Sequence, residues 1–168
     1  MANTYVQIGS TVTVGSGGAA SIAFTSIPAT FTDLCVKFSV RKDVASIDTT
    51  LTFNGNSANV SSKYIYGTGS AAGSASAGST IYSLATQSGD TANTFSNGEY
   101  YIPNYASTSA YKSLSHDVVN ENNATAAQSY LTAGLFSSNS AISTVTIAPT
   151  SGNFVQYSTA YLYGIKNS

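Results

Sequence analysis

The stretch "DLCVKFSVRK", residues 33–42, alternates two sets of side chains. Leu34, Val36, Phe38 and Val40 fall on one side of an extended chain, and Cys35, Lys37, Ser39 and Arg41 on the other. That period of two predicts a half-buried strand with the first set inward. The same period, punctuated by turns, recurs nearly throughout. It restricts the chain to packed sheets, because only an extended backbone sends successive side chains to opposite faces.

"TTLTFNGNS" places Leu51 and Phe53 on one face and signals a turn at Asn54-Gly55. Further strands are expected in "STVTV", "SIAFTSI", "KYIYG", "TIYSLAT", "NTFSNGEYYIP", "KSLSHDVV", "SYLTAGLF", "AISTVTIAP" and "TAYLYGI". β-branched and aromatic residues dominate them, as a pleated surface favours. "NENNATAAQSYLTAGL" carries a weak helix signal from Asn120 or Asn122, although Gly134 and Phe136 read equally well as a strand end. Pro28, Pro103 and Pro149 are expected at strand edges or in turns, where a missing donor is tolerated.

Many short strands at close spacing predict an all-β fold. The expected architecture is an antiparallel sandwich or barrel in one domain spanning residues 1–168. "GTGSAAGSASAGS", residues 67–79, is the one low-complexity stretch and reads as a flexible surface loop. A chain of 168 residues can bury a core without disulfides or metal, and its one cysteine, Cys35, has no partner for a bridge within the chain.

Charged residues make up 8% of the chain, and the net charge is -1. None occurs from Met1 to Thr32, from Tyr64 to Gly89, or from Asn122 to Ile165. No nucleic-acid partner is expected, since phosphate binding needs clustered Lys or Arg. Arg41 and Lys42 are adjacent but read as a solvated strand terminus. No membrane partner is expected either, because no stretch reaches the roughly 18 apolar residues of a spanning helix. "MANTYVQIGS" lacks a basic region followed by an apolar core, so no signal peptide is expected.

The search for chemistry is negative. His116 is the single histidine, which excludes a two-histidine metal site within one chain. It neighbours Asp117, and adjacent strand residues face opposite ways, so the two are not a base and its orienter. Cys35 shares a face with Lys37 and Arg41, which could lower its pKa, yet a small packing residue is the plainer reading. The acids Asp90, Glu99, Asp117 and Glu121 show no spacing that singles out a pair. "GSGG" at 15–18 leads into a strand, not the helix that a phosphate loop requires. No catalytic, metal or cofactor residue is assigned, and the chain is read as non-enzymatic.

Tyrosine is more informative: 12 residues against 7 Phe and no Trp. Tyrosine combines an apolar body with a polar tip and suits interfaces. "YYIPNY" gathers Tyr100, Tyr101 and Tyr105, either as a contact patch or as a strand-to-turn corner bridging core and water, with the corner preferred. In "FVQYSTAYLYGI", Thr159, Tyr161, Tyr163 and Ile165 share one face and Ser158, Ala160, Leu162 and Gly164 the other. Neither face is strongly polar, so this strand should be covered on both sides, inside a sandwich or against another subunit. These five tyrosines, Tyr100, Tyr101, Tyr105, Tyr161 and Tyr163, are the candidate interface.

"FTSIPATFTDLCVKFSVR", "LTFNG", "YYIPNYAST", "VNENNATAA" and "FVQYSTAYLYGI" resemble, in the same order and over most of the chain, small structural proteins of tailed bacteriophages, especially marine and cyanobacterial ones. The chain departs from that pattern at Tyr161, where a small residue or Phe is typical, and near Phe136, where a Trp is usual. The resemblance implies a virion component made in the bacterial host cytoplasm, without enzymatic activity. It implies an antiparallel β-sandwich, jelly-roll-like, acting as a capsid decoration protein on the outer surface of the major capsid protein lattice, with its own copies or another decoration protein as further partners. A tail or fibre domain that grips host glycan is the alternative.

Overall fold

The computed structural model describes residues 4–123 and 127–166. Among them are thirteen strands and no helix. They are β1 (Tyr5–Gln7), β2 (Val12–Thr13), β3 (Ile22–Phe24), β4 (Asp33–Val40), β5 (Asp48–Phe53), β6 (Val60–Gly67) and β7 (Ala72–Ala77). There follow β8 (Ile81–Leu84), β9 (Ser96–Pro103), β10 (Lys112–Asn120), β11 (Gln128–Phe136), β12 (Val145–Pro149) and β13 (Thr159–Ile165).

Two antiparallel sheets pack together as a β-sandwich. The large sheet has nine strands in the order β1-β13-β4-β9-β10-β11-β6-β7, with β2 also pairing β13. The small sheet has the order β3-β12-β5-β8. From β3 to β6 the chain changes sheet at every step, so most contacts are long-range.

The period of two is realised most plainly in β10 and β11. In β10, Lys112, Leu114, His116, Val118 and Asn120 are buried and the residues between them are exposed. In β4 the expected set of Leu34, Val36, Phe38 and Val40 points into the core. Phe136 of the large sheet meets Phe53 of the small one with ring centroids 5.2 Å apart. The Asn54-Gly55 turn forms as expected, with φ of 51° and 69°. Both values lie in the left-handed region that Asn and Gly tolerate. Asn54 then does more than turn: its Oδ1 accepts from the Ser143 and Thr144 amides at 2.8 and 3.1 Å.

Three expectations are corrected. The stretch at 67–79 is not a flexible loop: Ala72–Ala77 is a strand in register with β6. Its side chains are too small to show a hydrophobic period, and the backbone ladder decides its conformation. The helix signal fails as well. Gln128–Phe136 is a strand between β10 and β6, while residues 124–126 of that segment lie outside the described residues. Nor are Arg41 and Lys42 a solvated terminus. Lys42 is buried, with Nζ donating to the Asp48 carbonyl at 2.9 Å, and burial lowers its pKa. The Arg41 guanidinium donates to the carbonyls of Ser88, Asp90, Thr91 and Thr94 at 2.9–3.2 Å.

Candidate functional site: the outer face of the large sheet

The side of the large sheet that faces away from the small one is the candidate site. Its side chains stand in rows set by strand register. In one row Tyr163, Cys35 and Tyr101 lie directly opposite one another, continuing through Ser115 to Ala133. In the next, Tyr161, Lys37, Glu99, Asp117, Leu131 and Ile65 follow in turn. The face thus has a tyrosine half on β13, β4 and β9, and an aliphatic half on β11 and β6.

The aliphatic half is open to solvent. Ile65 is 58% and Leu131 55% exposed, and they face each other across β6 and β11. A broad shallow depression there is lined by Ile65, Leu131, Ala133, Pro103 and Tyr101. Val119 and Leu135 are also exposed on this side. Exposed aliphatic side chains in adjacent register form a patch, which says more than the same residues scattered singly.

Of the five candidate tyrosines, the structure brings three to this face. Tyr101, Tyr161 and Tyr163 are half-buried here. Tyr5, which sequence reasoning missed, joins them edge-on to Tyr163 with centroids 6.1 Å apart. The Tyr101 hydroxyl donates to Asp33 Oδ2 at 2.6 Å, and that carboxylate acceptor pushes its pKa up to about 12. Tyr100 and Tyr105 do not belong to the site. Tyr100 points into the core between Phe38 and His116. Tyr105 is buried and its hydroxyl donates to the Pro28 carbonyl, so it anchors a loop. The alternation that exposes Tyr101 necessarily buries Tyr100.

The solvent-accessible charged side chains of this face cancel: Lys37 Nζ and Glu99 Oε2 pair at 2.5 Å, Asp117 adds a negative charge beside them, and exposed Lys63, opposite Ala133, adds a positive one. The pair raises the Lys37 pKa, but an exposed pair of this kind contributes little to stability. Cys35 is closed off between Tyr163 and Tyr101. Burial, with the Glu99 carboxylate adding to it, raises its thiol to about 12 rather than lowering it. Lys37 is outweighed and Arg41 is turned away toward the loop at 88–94, so the thiol is not activated. His116 lies on the opposite, inner face from Asp117, as the alternation requires.

The aliphatic half could have been found from sequence. In "SYLTAGLF" both parities carry apolar residues, Tyr130 and Phe136 inward and Leu131 and Leu135 outward. That is the pattern of a strand destined for cover on both faces, the same pattern that "TAYLYGI" carries. Among the described residues no group of three or more His, Cys, Asp or Glu could hold a metal ion. Compared with known proteins, the chain matches no family model, no curated protein and no solved structure.

Proposed function

We propose that this chain is a structural protein of a tailed-phage virion, a decoration protein that docks on the capsid lattice through the outer face of its large sheet. The observation that carries the reading is the exposed pair Ile65 and Leu131, set on one face with Tyr5, Tyr101, Tyr161 and Tyr163. Burying such a face against shape-complementary subunits adds association free energy, roughly 1–2 kcal/mol for each of Ile65 and Leu131, which start little more than half exposed. Stable contacts of this type bury on the order of 1,200–2,000 Å². Two further observations support it. The sequence blocks resemble phage structural proteins. The strand order also supports a jelly-roll reading: β3-β12-β5-β8 and β4-β9 … β6-β7 follow the two four-stranded sheets of that fold, with the β10–β11 hairpin inserted between β9 and β6.

The experiment is quantification of the chain in purified particles. Hundreds of copies per particle, lost in an Ile65→Asp/Leu131→Asp variant that still folds, support capsid decoration. Absence from purified particles rejects the proposal. The tyrosine half of the face favours a second reading, stacking on neutral host glycan from a tail or fibre. A handful of copies per particle with host-specific signal on a glycan array would select it.

A further inference from the structure

The free edge of the large sheet at β7 carries an inference about assembly that does not rest on the capsid reading. Among the described residues β7 pairs with β6 alone. The turn between them is closed by the Thr68 amide donating to the Ala71 carbonyl at 2.9 Å. Hydrogen-bonded and non-bonded pairs alternate along an antiparallel ladder. Counting on from Thr68 and Ala71, the bonded pairs are Tyr66 with Gly73, Tyr64 with Ala75 and Ser62 with Ala77. Ala72, Ser74 and Ser76 therefore direct their amides and carbonyls away from β6, and all three residues are exposed. Natural sheets guard free edges with charge, proline, bulges or extreme shortness. The other edges here are short, with two to four residues in each of β1, β2, β3 and β8. β7 has six residues, none of them charged and none proline.

We propose that β7 pairs antiparallel with β7 of a second copy of this chain, across a two-fold axis at Ser74. Facing residues of a sheet lie on the same side, so the axis must centre on a residue. Centring on Ser74 uses all three outward-directed residues: Ser74 faces Ser74, and Ala72 faces Ser76. Each facing pair exchanges two main-chain hydrogen bonds. The edge is its own complement in length, hydrogen-bonding groups and neutrality, so two copies meet without like-charge repulsion. The seam also joins the two outer faces. Ser74 stands opposite Ile65 and Ile65 opposite Leu131, so the exposed aliphatic pairs flank the axis. A seam confined to one short strand is small among specific interfaces, so the dimer is concentration-dependent.

Sedimentation velocity of the full chain from micromolar to millimolar concentration tests this. The wild type is expected to shift from monomer to dimer. Ser74→Pro removes an amide that β6 does not use, so the internal ladder survives while the seam is lost. Ser74→Lys places like charges at the axis as a second route to the same monomer, and circular dichroism reports that both remain folded. Ser74→Cys should give a disulfide-linked dimer on mild oxidation, because facing Cα atoms about 5.5 Å apart lie within bridging range. Ser76→Cys, which faces Ala72, should not. A wild type that stays monomeric throughout, a dimer left intact in both folded Ser74→Pro and Ser74→Lys, or Ser76→Cys linking in preference to Ser74→Cys overturns the proposal. None of these readouts involves a virion, so failure here leaves the decoration reading separately testable.

Discussion

The imidazole of His116 is stacked on Tyr100 with ring centroids 3.9 Å apart, and it is 1% exposed. Its Nδ1 donates to the Glu99 carbonyl at 2.9 Å, which leaves Nε2 buried and without a proton. Burial pushes its pKa down from 6.5 to about 4. The unfolded chain thus binds the extra proton between those two values, and stability falls as pH drops through that window. The loss reaches about 3 kcal/mol, at roughly 1.4 kcal/mol per unit. Urea midpoints measured from pH 7 to 4 should decline, and His116→Gln should flatten the decline across this range. A wild type whose midpoint is as insensitive as the variant's would contradict the buried neutral ring. Gly98 offers a second residue-scale test. A Cβ there would approach Phe38 Cζ and the Asp117 carbonyl to 2.6 Å. Gly98→Ala should lower stability by about 1–3 kcal/mol, as overpacked cores do, and thermal melting would show it.

Between β8 and β9 the chain has no regular structure to hold it, and Arg41 supplies the hold. Its guanidinium reaches the carbonyls of Ser88, Asp90, Thr91 and Thr94 together, acting as a template around which the segment closes. Asp90 adds a second clasp, accepting from the Gln87 amide at 3.0 Å and from Asn120 Nδ2 at 3.2 Å. Arg41→Ala should free residues 88–94, seen as faster amide exchange and proteolytic nicking there, with a loss of about 2 kcal/mol or more. Arg41→Lys should restore little, because a single ammonium cannot fan out to four acceptors. β7 makes the complementary point at the same scale. "AGSASA" has almost no side-chain information, so its identity as a strand comes from β6 and the tight turn that returns the chain alongside it.

At the level of the molecule, one neutral face dominates the outside of the large sheet, and this has a consequence for binding. Under the proposed capsid docking, the four solvent-accessible charges of this face sum to zero and Ile65, Leu131 and the tyrosines carry the contact, so attachment should change little between low and molar salt. Retention of the chain on particles through a salt series measures this, and detachment as salt rises would point instead to the Lys37–Glu99 neighbourhood. The period of two in the amino-acid order determined the all-β class, most strand positions, the inward set of β4 and, with the Asn-Gly signal, the turn at Asn54-Gly55, because each depends on neighbours one to four residues away. The same local information offered five tyrosines as a candidate interface while preferring a strand-to-turn corner for "YYIPNY", and the structure divides them, with Tyr100 and Tyr105 buried and Tyr101 on the outer face. Which residues share a face depends on strand order and register. Those bring Tyr163 beside Tyr101 and Leu131 beside Ile65, from parts of the chain far apart in sequence. The three-dimensional packing also decided that Lys42 is buried, that Arg41 organises a loop and that a glycine-serine stretch is an edge strand. Each of these rests on hydrogen-bond partners that only the folded chain places within reach.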